Sequence, residues 1–453
     1  MLIPTRRLAL LLALTAPLWL LTALGGSWIA VPAICTVALL IAAALDVVRA
    51  PTRGAITVER ELPATVGLGD QASGSYAILS RWPRALHIQL HDRLPAALLP
   101  RIASDSGDRT PPFPAGRAEL LPPGERVHVP VELTGGARGV ADAGPIAIRA
   151  RGAWGLVDRV LRPTPSGAAE VAVAPSVTAV RRYRLLAVQR RLRDAGIRQL
   201  RRRGQGTTFA NLRDYSVGDD PRHMDWKATA RRGRPIVREF SVEQGQSVIV
   251  AVDAGRMMTQ LASDGRSRFE HALEAALVLA DVAVHSGDHV GLMAFDDEVR
   301  AWLPPTRGVA ALTAMRAAMT PIQATMTEPD YATAFRTLAT RHRRRSLIVL
   351  FTDVVDERSS QALLALTTRG ATRHMLLVVA LRNDALDAAA LPTIGASRQG
   401  VHTMAAAEEL LQARETALRR MRRAGVSVVD ISTDQLVAAV VNRYLELKGR
   451  SAT

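Results

Sequence analysis

The sequence has little cysteine, little lysine and few aromatic residues. Its single cysteine, Cys35, lies inside an apolar run, so neither a disulfide framework nor a cysteine-based zinc site is expected within one chain. Aromatic residues make up 4% of the sequence, which leaves the cores to Ala, Val, Leu and Ile. Lys227 and Lys448 are the only lysines, so arginine carries almost all of the positive charge behind the formal net charge of +16. Such an arginine bias is typical of GC-rich genomes and does not by itself indicate nucleic-acid binding.

Recognisable catalytic motifs are also missing. The sequence has no nucleophile elbow, no phosphate-binding glycine loop and no zincin motif. His223 has no nearby serine or cysteine with which it could form a catalytic pair. A length of 453 residues instead favours two or three domains, and 48% hydrophobic residues fit a globular body with a membrane segment.

The N-terminal region is uncharged from Leu8 to Leu45. Gly25-Gly26-Ser27 divides it into Leu8–Leu24 and Trp28–Leu45, each near the lower length limit for crossing a hydrocarbon core of about 30 Å. We therefore expect a transmembrane helical hairpin over residues 1–50. A cleaved signal peptide is the alternative, but it would leave the second apolar run unexplained. Arginines flank both ends of the region, so the soluble part should face the cytoplasm, on the bacterial inner membrane.

Residues 55–177 show the pattern of a β-sandwich-like domain. Short, partly alternating segments are separated by Pro and Gly clusters, as in antiparallel β proteins. The predicted strands are Ile56–Glu59, Ser75–Leu79, Leu86–Leu90, Val127–Leu133, Ile146–Ala150 and Glu170–Ala174.

Residues 178–245 combine an arginine-rich, helix-compatible stretch, Val180–Arg203, with a more distinctive string of residues. The arginines are interpreted as a solvated helix face. A surface for anionic lipid or for nucleic acid is the alternative, although Tyr183 alone is a poor basis for base stacking.

Residues 246–448 alternate strands and helices, which predicts a doubly wound parallel α/β sheet. The predicted strands are Ser247–Val252, Val290–Phe295, Ser346–Thr352, His374–Leu381 and Val426–Ile431, and Gln361–Thr368 is among the predicted helices. Predicted strands end at Asp253, at Asp296-Asp297 and at Asp353, the edge of such a sheet where ligands bind. Carboxylates gathered there suit a hard cation. They suit helix N-caps equally well, so spacing alone leaves the two interpretations open.

The distinctive string runs from Gly204-Gln205-Gly206-Thr207-Thr208-Phe209 through Leu212-Arg213-Asp214-Tyr215 to Gly218-Asp219-Asp220-Pro221-Arg222 and Met224-Asp225-Trp226-Lys227. It resembles the signature of a bacterial family of membrane-anchored von Willebrand factor A-like proteins associated with MoxR-type AAA+ ATPases. The resemblance implies a von Willebrand factor A-like α/β domain and such an ATPase as partner. Within the string we expect either a salt-bridged corner of Asp219, Asp220, Arg222 and Asp225 with Trp226 packed beneath it, or a docking surface.

The resemblance also implies a metal-ion-dependent adhesion site, from which this sequence departs. Asp253 and Asp353 are retained, but Gly255 and Met257 stand at the two serine positions, and Pro329 stands at the threonine position before Asp330. Magnesium prefers near-octahedral oxygen ligation, so we expect no cofactor, or at most weak Mg²⁺ binding at Asp253 and Asp353.

These patterns together favour a non-enzymatic, membrane-anchored adaptor that binds proteins and not nucleic acid. Its candidate binding residues are Asp253, Asp330, Asp353, Asp219, Asp220, Arg222, Asp225 and Trp226. A metal-dependent hydrolase using Asp253, Asp330 and Asp353 is the enzymatic alternative. The oligomeric state is left open.

Overall fold

The structure is a computed structural model of the chain, which has a mixed α/β architecture with several sheets. It describes residues 1–24, 30–95, 97–101, 117–167, 170–178, 180, 208–216, 224–241, 245–353, 374–391 and 398–451. The chain divides into two compact units, Met1–Ser176 and Val177–Thr453. The N-terminal helices thus belong to the same unit as the β-rich segment.

The first unit is built mainly of β-strands. Its elements are β1 (Leu2–Pro4), α1 (Arg6–Thr15), α2 (Ala30–Val48), β2 (Ile56–Glu61), β3 (Thr65–Gly67), β4 (Gln71–Ser80), β5 (Leu86–Asp92), β6 (Leu98–Arg101), β7 (Arg117–Leu121), β8 (Arg126–Gly135), β9 (Gly139–Asp142), β10 (Ile146–Arg151), β11 (Val157–Leu161), β12 (Ser166–Gly167) and β13 (Glu170–Ala174). All six strands predicted for this segment are present, most of them longer than expected.

Two five-stranded sheets share one hydrophobic core in this unit. Their strand orders are β1-β11-β10-β5-β7 and β12-β2-β4-β8-β6, and a smaller sheet has the order β3-β13-β9. Inward side chains of both large sheets, such as Ile88 and Ile148 from one and Ile78 and Val131 from the other, belong to the same cluster. The alternation of apolar and polar residues along these strands places one face of each sheet in that core.

The N-terminal region differs from the predicted hairpin in its first arm. The α-helix α1 ends at Thr15, and Ala16–Leu24 continues as a 3₁₀-helix. Pro17 explains the change, since it has no amide hydrogen and its ring clashes with an α-helical carbonyl one turn earlier. Within the described residues only α2 is long and apolar enough to cross a membrane, with a mean hydropathy of 2.4. A signal sequence would pass the same test.

The second unit contains the α/β domain. Its elements are β14 (Thr208–Asp214), α3 (Trp226–Arg232), β15 (Ile236–Ser241), β16 (Ser247–Asp253), α4 (Arg268–His285), β17 (His289–Phe295), β18 (Val299–Arg307), α5 (Val309–Met319), α6 (Tyr331–Arg341), β19 (Ser346–Thr352), β20 (Met375–Leu381), α7 (Asp384–Ala389), α8 (Arg398–Arg423), β21 (Ser427–Ile431) and α9 (Leu436–Ser451). The predicted helix Gln361–Thr368 lies outside the described residues, as does the arginine-rich stretch from 181 to 203.

A six-stranded sheet with the order β18-β17-β16-β19-β20-β21 forms the centre of this unit. All neighbours are parallel except β18, which is an antiparallel edge strand. Alternate residues of β16 point to opposite faces: Val250 packs in a cluster with residues of α4, α5 and α9, and Ala251 packs in a cluster with residues of α6 and α8. Helices therefore cover both faces, and the carboxyl ends of β16, β17 and β19 meet at one edge.

Candidate functional site

Asp253, at the end of β16, is fully enclosed in a hydrogen-bond network. Its Oδ2 accepts hydrogen bonds from the Thr352 hydroxyl at 2.7 Å and the Tyr331 hydroxyl at 3.0 Å. Its Oδ1 accepts from the Gly255 amide at 2.7 Å. Burial raises the pKa of Asp253 from 3.8 to about 6, and the hydrogen bonds from Thr352, Gly255 and Tyr331 oppose that rise. This carboxylate is ordered by neutral donors and not by a cation.

Asp353, directly after β19, is held between two arginines. Arg268 donates to its Oδ2 through Nη1, and Arg414 donates to its Oδ1 through Nη1. All three side chains are buried, with 1% of Asp353, 2% of Arg268 and 9% of Arg414 exposed. Both carboxylate oxygens therefore already accept charge-assisted hydrogen bonds, which are among the stronger ones in proteins.

Arg414 extends the same network to a third strand. Its Nη2 donates to the Leu381 carbonyl at 2.9 Å, at the end of β20, and to Asp430 at 3.1 Å, in β21. Burial lowers the pKa of Arg414, but the adjacent charges of Asp353 and Asp430 outweigh it and raise the pKa above the ordinary value. One guanidinium thus ties together the ends of β19, β20 and β21.

Sequence reasoning missed both arginines, although each left a signal. Arg268 is the first residue of α4, directly after the N-cap Ser267, where the helix dipole disfavours a cation. Arg414 lies seven residues from Ala407 and from Met421, both buried, so it stands on the apolar stripe of α8. A charge in either place indicates a buried partner, which is Asp353 in both cases.

Asp330 has a structural role at this edge. Its side chain caps α6 by accepting from the Thr333 amide at 3.0 Å and from the Thr333 hydroxyl at 2.5 Å. These hydrogen bonds hold the pKa of Asp330 below its ordinary value. The next residue, Tyr331, is the one that reaches Asp253. Asp330 therefore positions α6 and does not join the Asp253 network itself.

The residues present do not fit the magnesium ion of an adhesion site. The Arg268 and Arg414 guanidinium groups already contact both oxygens of Asp353. A side chain at Gly255 would have its Cβ 2.8 Å from Pro329 Cδ and 3.0 Å from the Thr327 carbonyl, so a serine ligand has no room there. In the part of the chain that the structure describes, no group of three or more His, Cys, Asp or Glu residues could hold a metal ion.

A cleft of about 360 Å³ opens beside this network. Its floor includes Asp353, Arg414 and Asp430, which belong to the ion-paired network together with Arg268. Apolar and polar side chains of the β16–α4 connection and of α7 and α8 form its walls, among them Met257, Gln260, Asn383, Leu386, Leu410 and Leu411. Asn383 donates to Gln260 at 3.0 Å, which joins two of these walls. Charged side chains of Arg382, Asp387 and Glu415 also line it, so the cleft combines ion-paired groups with apolar and other charged side chains.

The distinctive string from Gly204 to Lys227, which we call the signature string, contributes a separate feature. Asp225 caps α3 by accepting from the Ala228 amide at 2.9 Å. Trp226 is 70% exposed, so the expectation that it packs beneath a salt-bridged corner is wrong: as the first residue of a short exposed helix it points away from any core. Asp219, Asp220 and Arg222 lie outside the described residues.

Comparison with solved structures gives only partial similarities. The cryo-EM structure of native Escherichia coli alpha-2-macroglobulin is 17% identical over 27% of this chain, with a TM-score of 0.19, and the chain spans 7% of its length. The PapD-like domain 7 of human CEP192 is 16% identical over 27% of this chain and 89% of its own, with a TM-score of 0.18. Similarities of this size do not bear on fold or function. A search of curated proteins found no match.

The family comparison is more specific. The family described as "Protein of unknown function DUF58" matches residues 211–420. That range begins in β14, includes Asp225, Trp226, Asp253, Asp353 and the two arginines that bind Asp353, and ends within α8, so Asp430 lies beyond it. Residues 211–420 therefore match the DUF58 family, and the Arg268–Asp353–Arg414 ion pairs lie within the matched range.

Proposed function

We propose that the protein is a non-enzymatic, membrane-anchored adaptor that binds another protein at the strand-end edge of its α/β domain. The cleft above Asp353 and Arg414 is the observation that carries this proposal. Protein-binding sites combine apolar anchors with fixed polar groups, and the walls at Leu410 and Leu386 over an ordered ionic floor provide both.

The α/β domain is proposed to be von Willebrand factor A-like and doubly wound. Support comes from the central position of β16, from the antiparallel edge strand β18 and from aspartates at the ends of β16 and β19. In this proposal the Arg268–Asp353–Arg414 network replaces the metal ion as the element that orders the binding edge. Ligand binding would then be independent of divalent cations.

A MoxR-type AAA+ ATPase is the proposed partner, with the pair acting on the cytoplasmic side of the inner membrane in chaperone-like assembly or envelope maintenance. This part of the proposal rests on the resemblance of the signature string and is an analogy between families. The exposed Trp226 beside it is a second apolar surface that a partner could cover. Tryptophan is enriched among residues that dominate binding energy.

The hydrolase alternative receives less support from the geometry. Such an enzyme would need Asp253, Asp330 and Asp353 to share an ion. Instead Asp330 caps a helix and Asp353 is saturated by arginines. No observation favours the nucleic-acid alternative.

The test is affinity purification of the full chain from detergent-solubilised native membranes, with and without ATP, followed by mass spectrometry. Leu410→Glu, on the cleft wall, should lose the AAA+ ATPase. Leu445→Glu on α9 is the matched control, because the two leucines are 43% and 46% exposed. Recovery of the ATPase by the Leu410 variant would refute the docking site, and failure to recover any ATPase with the unaltered protein would refute the partner.

A further inference from the structure

Asp46 fastens α2 to the turn between β10 and β11, residues 151–156, which we call the β10–β11 turn. Its two carboxylate oxygens accept backbone hydrogen bonds from Trp154 at 2.8 Å, Leu156 at 2.9 Å and Val157 at 3.0 Å. Asp46 is fully buried. A Cβ at Gly152 would lie 2.5 Å from the same carboxylate, so the turn can approach this closely only with glycine there. These hydrogen bonds therefore connect α2 closely to the β10–β11 turn, and we call this connection the joint.

The start of α1 meets the same turn. The Thr5 hydroxyl donates to the Gly155 carbonyl at 2.6 Å, and the Thr5 amide donates to the Leu156 carbonyl at 3.0 Å. Leu8 and Ala43 then pack with Leu156 in one small cluster. The N-cap residue of α1 and the last turn of α2 are thus held at a single point of the first unit, which we call the β unit.

The outer surface of α2 is apolar up to this point and basic beyond it. Exposed side chains along the helix are Val31, Ile34, Val37, Leu40, Ile41, Leu45 and Val48. Arg49 follows at once. The apolar surface therefore stops at the level where Asp46 binds the β10–β11 turn. If α2 spans a bilayer, this level is the boundary between hydrocarbon and headgroups.

Trp154 projects at that level and is 44% exposed. The Arg49 guanidinium lies 4.9 Å from the centre of its ring, a cation–π contact. Arg6, Arg7 and Arg151 are exposed nearby on α1 and on the same turn. The acidic groups of this region, Asp46 and Asp158, are buried: Asp46 accepts the backbone hydrogen bonds described above, and Asp158 pairs with Arg149 at 2.6 Å and with Arg151 at 3.4 Å. The exposed charge around Trp154 is therefore positive.

We propose that the β10–β11 turn, with Trp154 at its tip and Arg7, Arg49 and Arg151 around it, is a contact surface for anionic phospholipid headgroups. The proposal rests on the membrane anchoring proposed above. Tryptophan favours the bilayer interface, and arginines near the surface are attracted by anionic lipid. The joint at Asp46 and Thr5 then holds the β unit at one depth on the membrane surface, whereas a flexible linker would leave that depth variable.

The test measures the depth of Trp154 in reconstituted full-length protein. A variant that keeps only Trp154 has the other tryptophans, at positions 19, 28, 82, 226 and 302, replaced by phenylalanine. It is placed in nanodiscs of phosphatidylglycerol and phosphatidylcholine in which the phosphatidylcholine is brominated at shallow or deep acyl positions. Trp154 fluorescence should be quenched more by the shallow bromines than by the deep ones.

Two further single-tryptophan variants separate the possible failures. One keeps Trp19, which lies in the apolar N-terminal region, and the other keeps the exposed Trp226 of the second unit. Quenching of Trp19 without quenching of Trp154 would overturn the lipid contact while leaving the anchor in place. If Trp19 is not quenched either, the membrane anchoring fails and the lipid contact fails with it. Trp226 gives the unquenched reference.

The role of the arginines is tested in the Trp154-only protein. Arg7→Gln with Arg151→Gln should remove most of the additional quenching that phosphatidylglycerol gives over pure phosphatidylcholine. Arg126→Gln is the control, since Arg126 is an exposed arginine of β8 in the same unit, paired with Glu59 at 3.3 Å. Equal quenching in the double variant and in this control would overturn the charge-based part of the proposal.

Discussion

Arg268 and Asp353 form an ion pair with 2% and 1% of their side chains exposed, and Arg414 occupies the second oxygen of the same carboxylate. Two positive charges therefore meet one negative charge in the interior, and Asp430 provides the second negative charge at 3.1 Å from Arg414. Buried charges are tolerated only when they are paired and hydrogen-bonded, so these groups depend on one another.

Asp353→Asn should destabilise the protein strongly. The substitution leaves Arg268 buried without a carboxylate and leaves Arg414 with Asp430 as its remaining carboxylate partner. Removal of one partner from a buried ion pair costs about 3–5 kcal/mol. Thermal and urea unfolding of the full chain in detergent would measure the loss. Asp297→Asn is the control, because 58% of the Asp297 side chain is exposed and a change there should stay within about 0.5 kcal/mol. Equal stability of the two variants would contradict the buried network.

Asp253→Asn should stabilise the protein relative to the unaltered chain as pH rises, because burial raises the pKa of Asp253 from 3.8 to about 6. The folded protein then binds a proton that the unfolded chain has released, so the contribution of Asp253 to stability falls as pH rises from about 4 to about 6. The full pKa difference between the folded and unfolded states corresponds to ~3 kcal/mol of stability. The asparagine variant lacks this loss, so its free energy of unfolding should rise relative to that of the unaltered protein between about pH 4 and about pH 6.

Asp330→Asn supplies the comparison of opposite sign. Hydrogen bonds from Thr333 hold the pKa of Asp330 low, so its carboxylate contributes stability above the unfolded pKa of about 3.9 and loses it on acidification. The Asp330 variant should therefore be less stable than the unaltered protein at neutral pH, and the two stabilities should approach each other in acid. A stability difference for Asp253→Asn that stays constant between pH 4 and pH 6 would contradict the raised pKa.

Magnesium should leave the melting temperature of the protein unchanged. Both Asp353 oxygens accept hydrogen bonds from arginines, and the position of Gly255 excludes a serine ligand. A specific ion at about 100 times its Kd would add about 2.7 kcal/mol to the stability of the folded state. Melting in EDTA and in excess Mg²⁺ measures this directly. A saturable rise in melting temperature that Asp353→Asn abolishes would show that the edge binds the ion after all.

Asp46→Ala should release the β10–β11 turn. Three backbone amides would lose their acceptor in a buried place, at about 1–3 kcal/mol for each group left unsatisfied. Hydrogen exchange should rise at the amides of Trp154, Leu156 and Val157. Asp142→Ala, at an exposed aspartate of β9 in the same unit, should leave those amides protected. Unchanged exchange in the Asp46 variant would mean that the joint does not depend on this carboxylate.

The parallel sheet was well predicted because its strands are continuous apolar runs bounded by turn residues. The predicted segments 247–252, 290–295, 346–352, 374–381 and 426–431 all correspond to observed strands. The strand β18 was missed, since Pro304 and Pro305 argue against a strand. It is an edge strand that pairs with β17 alone, and proline is tolerated there because one side needs no ladder hydrogen bonds.

The site was predicted less completely than the sheet. Aspartates at strand ends can be read from local sequence, so Asp253 and Asp353 were placed at the correct edge. Their partners could not be read in this way, because Arg268 is 85 residues from Asp353 and Arg414 is 61 residues from it. Only the three-dimensional fold brings them together. The helix-capping role of Asp330, which was predicted only as a binding residue, likewise depends on the backbone of α6.

The joint at Thr5 also has a consequence for how the chain is made. Thr5 and its partner Leu156 are 151 residues apart, and β1 pairs with β11. During synthesis both N-terminal helices leave the ribosome long before the strand that receives them exists. Contacts between such distant segments form late because loop closure must precede them. If α2 spans a bilayer as proposed, it should therefore enter the bilayer first, and closure of the β unit should then hold the inserted helix in place. A bulky tag fused ahead of Met1 would meet β11 at Val160, whose amide donates to the Met1 carbonyl at 2.9 Å, and would hinder that last step.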